Sequence, residues 1–240
     1  MAQKVQLHPF SAQDKRTWST LFQRQAKSRE SQVHPLFKYG VEKLGISEKF
    51  PDLEAINKKL EKISGFRGVP VKGFEEPESF YEMLAQREFP IGFFIRDEKD
   101  LGYTPAPDIF HDLYGHLPFL VDSQYANFCQ SLGERTIRYR DQPEILRQWE
   151  RLFWFTAEFG LVRTDQGIRI FGGGIASSIQ ECDYALSTQP KQMPFDLEVI
   201  RNLEFQIDEM QKNLFLLESP EQLYSCLDEF EAGCTAKGNS

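Results

Sequence analysis

Two histidines and a glutamate are the residues of this sequence that could bind a metal together. His111 and His116 lie five positions apart in residues 107–118 (PDIFHDLYGHLP), and Glu158 lies in residues 154–161 (WFTAEFGL). The whole sequence contains only four histidines, so two in one apolar segment need an explanation. Two imidazoles and one carboxylate form the ligand set of a non-heme iron(II) facial triad, which leaves coordination positions open for oxygen chemistry. We therefore predict a metal-dependent oxygenase first.

The same residues allow other interpretations. Spacing alone would also permit zinc, although the HExxH pattern of zinc proteases is absent. A buried histidine can instead hydrogen-bond a backbone carbonyl, and we give that interpretation to His8 and His34, which have polar neighbours. Glu158 is different, because a carboxylate buried in an apolar run must be paired or bound to a metal. The three residues together therefore favour a metal site.

The spacing of the two histidines constrains the backbone between them. In a regular α-helix, residues five apart point in directions about 140° apart, so such a pair would not face one metal. We expect the helix that begins near Asp108 to end around Tyr114, at the break that Gly115 and Pro118 introduce. His116 would then lie just past the end of the helix and could turn toward the same metal.

Polar and glycine residues near these segments are candidates for supporting roles. A hydrogen bond to the second ring nitrogen of a ligating histidine fixes its tautomer, and Asp108, Ser177 and Ser178 could supply one. Asp108 also fits a helix N-cap before Ile109, and the two roles are compatible. Glycines 172–174 lack the GK[ST] sequence of a phosphate-binding loop. Close approach of the backbone to the active site explains them better.

Length and composition limit the class of protein. The 240 residues suffice for one substantial domain. A net charge of −8 argues against a nucleic-acid partner, because proteins that bind nucleic acids concentrate lysine and arginine. No apolar run approaches the ~18 residues of a membrane span, and residues 1–15 lack the apolar core of a signal peptide. The four cysteines form no CxxC pair, so we expect a cytoplasmic protein without a disulfide or zinc scaffold.

Hydrophobic periodicity and turn residues predict one domain that is mainly α-helical with a few short β-strands. This domain would cover residues 15–232, after a flexible N-terminal segment (1–14) and before a disordered tail (233–240). Strands are predicted at 91–96 and 168–171, the second of them following a hairpin turn at 164–167. Helices are predicted at 14–31, 34–44, 53–64, 78–87, 124–139, 144–163, 177–186 and 221–230.

Further motifs accompany the two segments that contain the metal-binding candidates. They are GFRGVPV (65–71), FFIR (93–96), GYTPAPD (102–108) and RIFGGGIASSIQE (169–181), and Glu158 follows His116 by 42 residues. This ordered set closely resembles the aromatic amino acid hydroxylases, which are pterin-dependent iron enzymes. The likeness runs from about residue 18 to about residue 230, and the short chain is most similar to the bacterial phenylalanine 4-hydroxylase form of the family.

The resemblance implies a catalytic domain of the aromatic amino acid hydroxylase type, with Fe(II), a tetrahydropterin such as tetrahydrobiopterin, and O2 as co-substrate. His111, His116 and Glu158 would be the catalytic iron ligands. Arg96 would bind the carboxylate of the amino acid, since a guanidinium offers two parallel donors; a surface salt bridge with Asp97 or Glu98 is the alternative. The remaining matches are Thr104, Trp154, Phe159, Ser177 and Ile207 for the substrate, Phe80, Phe74, Glu75 and Asp112 for the pterin, and Glu181 as a nearby acidic residue of open role.

The resemblance leaves the substrate to two conflicting signals. Trp154 is typical of enzymes that act on phenylalanine, whereas Ile207 occurs where tryptophan enzymes have isoleucine. We give Trp154 more weight because it would line the ring pocket directly, and we predict conversion of L-phenylalanine to L-tyrosine. A tryptophan 5-hydroxylase or a hydroxylase of broad specificity is the alternative within the family.

Glu75 takes a place that is often apolar in the family, and two other departures from the family pattern bear on whether the chain is an active enzyme. Asp112 stands where many relatives have glutamate, and Phe153 replaces a tyrosine next to the pocket tryptophan. These departures keep open a different class of function, a non-enzymatic module that binds metal or pterin. Because the long C-terminal helix of the animal enzymes is absent from this sequence, we expect a monomer, with a dimer as the alternative. The expected partner is a small-molecule aromatic amino acid.

Overall fold

Helices make up most of the structure, and the strands are short. The computed structural model describes residues 9–72, 75–102, 107–207 and 209–236. The α-helices are α1 (Ala12–Arg24), α2 (Ala26–Ser31), α3 (Pro35–Leu44), α4 (Leu53–Ser64), α5 (Pro77–Ala85), α6 (Ser123–Thr136), α7 (Pro143–Phe153), α8 (Gly173–Ala176), α9 (Ile179–Ala185), α10 (Leu197–Asn202), α11 (Pro220–Tyr224) and α12 (Leu227–Ala236). The strands are β1 (Arg67–Val71), β2 (Glu88–Gly92), β3 (Leu161–Thr164), β4 (Gly167–Ile170), β5 (Lys191–Pro194) and β6 (Asn213–Leu217). The predicted fold class, mainly α with a few short strands, is confirmed.

Local sequence signals explain several of the helix ends. The Asp52 side chain accepts a hydrogen bond from the Ala55 backbone N–H at the start of α4. Gly65 ends the same helix in the left-handed region, at φ 78°, where a residue without Cβ is favoured. Ser11 and Asp14 form a reciprocal capping box at the start of α1. Residues 12–14 are therefore helical, although they were expected in a flexible segment; residues 1–8 lie outside the described part.

The strands form two small sheets among the helices. β1 and β2 pair in parallel with Arg67 opposite Glu88. The second sheet has the order β4-β3-β6-β5, in which β3 and β4 form the predicted antiparallel hairpin. β2 packs on residues 110–116 and β6 contacts residues 154–158, so the sheets support the two segments that contain the candidate metal ligands.

Some predicted elements end elsewhere. The helix predicted over 144–163 leaves α geometry after Phe153, passes through a π-helix, and gives way to β3 at Leu161. The strand predicted over 91–96 lies earlier, because α5 ends at Ala85 and Arg87, at φ 58°, redirects the chain. Apolar side chains alone do not show where such backbone changes occur.

Three further predicted helices are divided or extended. The segment 14–31 is interrupted at Gln25. Within the segment 177–186 the α-helix is α9, which Ser177 and Ser178 separate from the preceding α8. The last predicted helix is replaced by α11 and α12, and α12 continues to Ala236. Residues 233–236, which were expected in a disordered tail, are thus helical because Cys234 is buried in the core. In the described part of the chain, no helix has the length and apolar character needed to span a membrane.

Candidate metal centre

His111 and His116 lie in the same π-helix, Phe110–His116. A π-helix bonds residues five apart along the backbone, so side chains with that spacing lie on the same side. His111 and His116 consequently face one another, with 3.4 Å between their Nε2 atoms. The prediction that His116 lies past the end of a helix that stops at Tyr114 is wrong. The departure from α geometry was expected, but it occurs within the helix.

Glu158 completes the cluster from a second π-helix, Trp154–Glu158. Its Oε1 lies 3.2 Å from His111 Nε2, and its Oε2 lies 3.0 Å from His116 Nε2. One potential ligand atom from each residue lies within 4.8 Å of the others. His116 and Glu158 are buried, and His111 is partly exposed toward a cleft. The structure thus brings together the three residues that the sequence predicts as metal ligands.

Charge is shared unevenly among these groups. Burial disfavours the imidazolium form of His111, but Glu158 outweighs that effect and raises the pKa of His111 to about 9. For His116 burial dominates and lowers the pKa. Burial would raise the pKa of Glu158, yet the two histidines hold it well below its usual range. An ionised, buried carboxylate between two imidazoles provides the charge and donor atoms that a divalent transition metal requires, so these residues fit iron(II).

Two glycines allow the backbone of α8 to approach the ligands. A Cβ atom on Gly173 would lie 2.5 Å from His116 Nδ1, and one on Gly174 would overlap Glu158 Oε1. Any larger residue at either position would therefore displace a ligating side chain. The predicted close approach of the glycine run to the site is confirmed.

Ser177 determines which nitrogen of His111 points toward the other ligands. Its Oγ donates its one proton to the Gly174 carbonyl at 2.8 Å and lies 3.1 Å from His111 Nδ1. Because the hydroxyl proton is used, Nδ1 must donate to Oγ, and Nε2 then presents its lone pair to a metal. Ser177 thus supports the imidazole rather than lining the cleft. Ser178 does not reach an imidazole, since it caps α9 by accepting from the Glu181 N–H.

Asp108 binds Arg96 instead of an imidazole ring. Arg96 Nε and Nη2 donate to the two carboxylate oxygens, each at 2.8 Å, and both side chains are buried. The same carboxylate accepts from the His111 backbone N–H at 2.9 Å, as a helix cap would. Burial raises the pKa of Asp108, but Arg96 outweighs that effect and lowers it. The alternative that Arg96 pairs with Asp97 or Glu98 is wrong.

A cleft of about 230 Å³ opens beside the three candidate ligands. Its walls are mostly apolar and aromatic, as in small-molecule sites. Of the residues predicted to bind substrate or pterin, Glu75, Phe80, Asp112 and Trp154 line it. Thr104 and Phe74 lie outside the described residues. The other lining residues are Val71, Pro77, Phe89, Pro90, Pro107, Arg147, Glu150, Phe153 and Phe205.

Two residues expected to form the substrate pocket lie elsewhere. Ile207 is 67% exposed and is not among the residues that line the cleft, so its assignment to the substrate pocket stays a prediction. Phe205, two residues earlier, lines the cleft and stacks on Trp154 with 4.4 Å between ring centroids. Phe159 contacts Trp154 at 4.7 Å but does not line the cleft itself. It supports the tryptophan from behind.

The predicted pterin residues occupy another part of the cleft. Phe80 packs edge-on against Phe153 at 5.0 Å. Glu75 accepts a hydrogen bond from Ser79 Oγ at 2.6 Å. Asp112 accepts from the Gly92 N–H at 2.7 Å, and burial raises its pKa to about 7. This second carboxylate is therefore held by the backbone beside β2.

Other contributions to the site were not predicted from the sequence. Phe89 stacks on the His116 ring at 4.8 Å, and Gln211 bonds the Trp154 indole. Phe89 lies in β2 shortly before the FFIR motif, Gln211 lies well beyond the last motif, and neither has a local signal beyond being apolar or polar. Glu181, the nearby acidic residue, has a pKa raised to about 7 by burial and by the Glu158 charge.

The chain is matched over residues 1–236 by the model of a family described as biopterin-dependent aromatic amino acid hydroxylases. The protein belongs to this family, so the resemblance seen in the motifs is confirmed. It is 38% identical over 220 residues to phenylalanine-4-hydroxylase of Chromobacterium violaceum, covering 91% of this chain and 74% of that protein. The corresponding enzyme of Pseudomonas aeruginosa is 37% identical over 214 residues, with 88% and 80% covered.

A solved structure has the same fold. The crystal structure of Chromobacterium violaceum phenylalanine hydroxylase with bound oxidised Fe(III) superposes with a TM-score of 0.91 at 36% identity. The match covers 96% of this chain and 84% of that one. The fold is therefore that of the catalytic domain of an aromatic amino acid hydroxylase.

Proposed function

We propose that this protein is an iron(II)- and tetrahydropterin-dependent monooxygenase that hydroxylates the ring of an aromatic amino acid, L-phenylalanine to L-tyrosine. The observation that carries the proposal is the convergence of His111, His116 and Glu158 at the end of an aromatic cleft. One carboxylate and two imidazoles leave coordination positions for oxygen, which a closed structural metal site would not.

Related proteins support the identity of the cofactors and the substrate. Phenylalanine hydroxylase of Chromobacterium violaceum has been solved with iron(III) and the oxidised cofactor 7,8-dihydrobiopterin, at 36% identity to this chain. It has also been solved with iron and phenylalanine, at 34% identity. By this likeness, the cleft of the present protein would hold the pterin and the amino acid beside the metal.

The residues of the chain have separate tasks in this proposal. When bound, ferrous iron and tetrahydropterin supply the electrons that activate O2. His111, His116 and Glu158 would hold the metal, and Ser177 would keep the Nε2 lone pair of His111 free to bind it. Phe80 offers an aromatic face for the pterin, and Asp112 a nearby polar group. The aromatic walls also exclude water from the reacting atoms.

Trp154 and Arg96 would position the amino acid. The Trp154 ring forms an apolar wall against which an aromatic side chain can pack. Arg96 is held in a fixed plane by Asp108, so a substrate carboxylate would have to use the end of the guanidinium formed by Nη1 and Nη2. Asp108 joins this arginine to the backbone of the first metal-bearing helix, which would keep the substrate and the metal in register.

A competition assay tests the proposal. The iron(II)-reconstituted protein is supplied with tetrahydropterin, O2 and equal phenylalanine, tyrosine and tryptophan, and the products are separated by chromatography. We expect tyrosine as the main product, no product without O2, and none after replacement of iron by zinc. Predominant 5-hydroxytryptophan would contradict the substrate assignment. Bound iron without pterin-dependent oxygen uptake would indicate the non-enzymatic module instead.

We also propose that the protein is a cytoplasmic monomer. All four cysteines are free and buried, which suits a reducing compartment. Size-exclusion chromatography with light scattering measures the mass, for which we expect a value close to the 27.9 kDa of one chain. A mass twice as large would indicate the dimer.

A further inference from the structure

The side chain of Gln211 bonds Trp154 and two backbone carbonyls, and it has no role in the function proposed above. Its Oε1 accepts the Trp154 indole N–H at 3.1 Å. Its Nε2 donates to the Gln206 carbonyl at 2.6 Å and to the Glu209 carbonyl at 2.9 Å. The side chain is 6% exposed, although the residues around it are open to solvent. Buried polar groups are as a rule hydrogen-bonded, and here the bonds join Trp154 to the segment that contains Gln206 and Glu209.

The three bonds leave the amide only one orientation. A reversed amide would place its NH2 group against the indole N–H and its oxygen against two carbonyl oxygens. Since the indole nitrogen of Trp154 can only donate, Gln211 must present its oxygen to it. The rotamer of the glutamine and the plane of the tryptophan ring are therefore fixed together.

Phe205 holds the same ring through its face. Its ring is nearly parallel to that of Trp154, at an angle of 16°, and Phe159 contacts the indole from the core. The Arg147 guanidinium lies 4.2 Å from the centre of the Phe205 ring, and Arg147 pairs with Glu150 at 2.8 Å. These contacts form a continuous series from the core to the cleft. Among the contacts of the described residues, the hydrogen bond to Gln211 is the one that fixes the direction of the indole N–H.

We propose that Gln211 is a specificity-determining positioning residue, which fixes Trp154 as a rigid wall and thereby favours the phenyl ring over the larger indole. This inference rests on the proposed function. Gln211 is not one of the described residues that line the cleft, so it would act through Trp154 and not by touching the substrate. A wall that cannot rotate rejects a larger ring, whereas one that rotates admits it.

Substitution of Gln211 by methionine tests this role, because methionine retains the length and loses all three hydrogen bonds. We expect KM for phenylalanine to rise about tenfold while kcat changes by less than about threefold, since the metal ligands are untouched. The ratio of kcat/KM for phenylalanine to that for tryptophan should fall about tenfold. Gln192→Met is the matched control, because Gln192 is half-buried and bonds one carbonyl, that of Ala185.

Fluorescence gives a second readout that does not depend on turnover. Trp18 and Trp149 are fully buried, whereas Trp154 is partly exposed, so acrylamide quenching mainly reports Trp154. Quenching of the iron-loaded protein should increase in Gln211→Met and stay unchanged in Gln192→Met. In a Trp154→Phe background, Gln211→Met should change neither quenching nor the substrate ratio, because the coupled partner is gone.

The outcomes separate the inference from the function on which it rests. An unchanged substrate ratio in a folded Gln211→Met protein would overturn the specificity role, as would an equal effect in the Trp154→Phe background. If Gln211→Met does not fold, Gln211→Glu keeps the acceptor for the indole, sets an oxygen against the two carbonyls, and should shift the ratio in the same direction. A wild-type protein that hydroxylates no aromatic amino acid would overturn the proposed function and the specificity role, while quenching would still show whether Gln211 fixes Trp154.

Discussion

The metal end and the open end of the cleft are built in different ways. At the metal end, His116 and Glu158 project from two π-helices, and the backbone of α8 packs against both side chains at Gly173 and Gly174. At the open end, Trp154 is held by Phe205 and Gln211, two described residues that lie outside the helices and strands. Backbone geometry thus fixes the ligands, whereas side-chain contacts fix the aromatic wall. Substitutions at the metal end should therefore reduce metal binding, whereas substitutions at the open end should change substrate preference.

Loss of a metal ligand should have the largest effect. We expect Glu158→Ala to lower turnover by at least about 100-fold and to reduce bound iron in parallel, because the only carboxylate of the cluster is removed. Bound iron is measured by plasma emission spectroscopy, and turnover is measured as pterin-dependent oxygen uptake. Glu61→Ala, at an exposed position of α4, is the control and should match the wild type. Normal iron content in Glu158→Ala would mean that Glu158 is not a ligand.

Disruption of the buried ion pair behind the metal end should mainly reduce stability. Asp108→Asn leaves the buried Arg96 guanidinium without its counter-charge, and we expect a loss of about 3–5 kcal/mol in the free energy of unfolding. Urea denaturation measures it. Asp52→Asn is the control, because it retains a good N-cap at an exposed site. Equal stability of the two variants would contradict the importance of the pair.

The same pair predicts a pH dependence with a definite sign. Arg96 lowers the pKa of Asp108 in the folded protein. Its contribution to stability is therefore fully present above the ordinary aspartate pKa of about 4, and it is lost as the pH falls through the lower folded value. The difference in unfolding free energy between wild type and Asp108→Asn should be largest at neutral pH and shrink in acid. A difference that grows as the pH falls would contradict this assignment.

A single methyl group at the metal end should weaken iron binding without unfolding the protein. In Gly174→Ala the added Cβ overlaps Glu158 Oε1 and must displace the carboxylate. We expect metal affinity to fall about 10–100-fold, as measured by competition with a chelator. Gly102→Ala is the matched control, since its Cβ would meet only the flexible end of Gln180. Unchanged affinity in Gly174→Ala would show that the backbone does not constrain Glu158.

The smallest effect is expected at the open end. Ile207 is exposed, so Ile207→Ala should leave the preference for phenylalanine over tryptophan within about twofold of the wild type. Phe205→Leu, which removes the stacked ring, should change that preference more. Competition assays on both variants make the comparison. A larger effect at Ile207 than at Phe205 would mean that Ile207, and not Phe205, forms part of the substrate wall.

The metal ligands and the wall residue Trp154 could be predicted from the sequence, whereas the residues that hold Trp154 in place could not. His111, His116 and Glu158 belong to motifs whose residue types already define a ligand set, and the glycine run is adjacent to Ser177 in the chain. The exposure of Ile207 could not be predicted, because a match to a family position does not show which way a side chain points. Gln211 lies 57 residues from its partner Trp154 and carries no periodic signal. Bonds between such distant side chains depend on the tertiary fold.

Each of the two π-helices shifts the helical phase of the residues that follow it. A bond from i to i+5 encloses one more residue than the bond of an α-helix, so each ligand-bearing segment contains one residue in excess. A periodicity of 3.6 residues carried straight through residues 110–116 would therefore be out of phase by about 100° on the far side. A one-residue deletion between the histidines would leave them four apart, where an α-helix already aligns them, and would shift the phase of everything that follows. The extra residue therefore sets which side chains before and after each π-helix face the same direction.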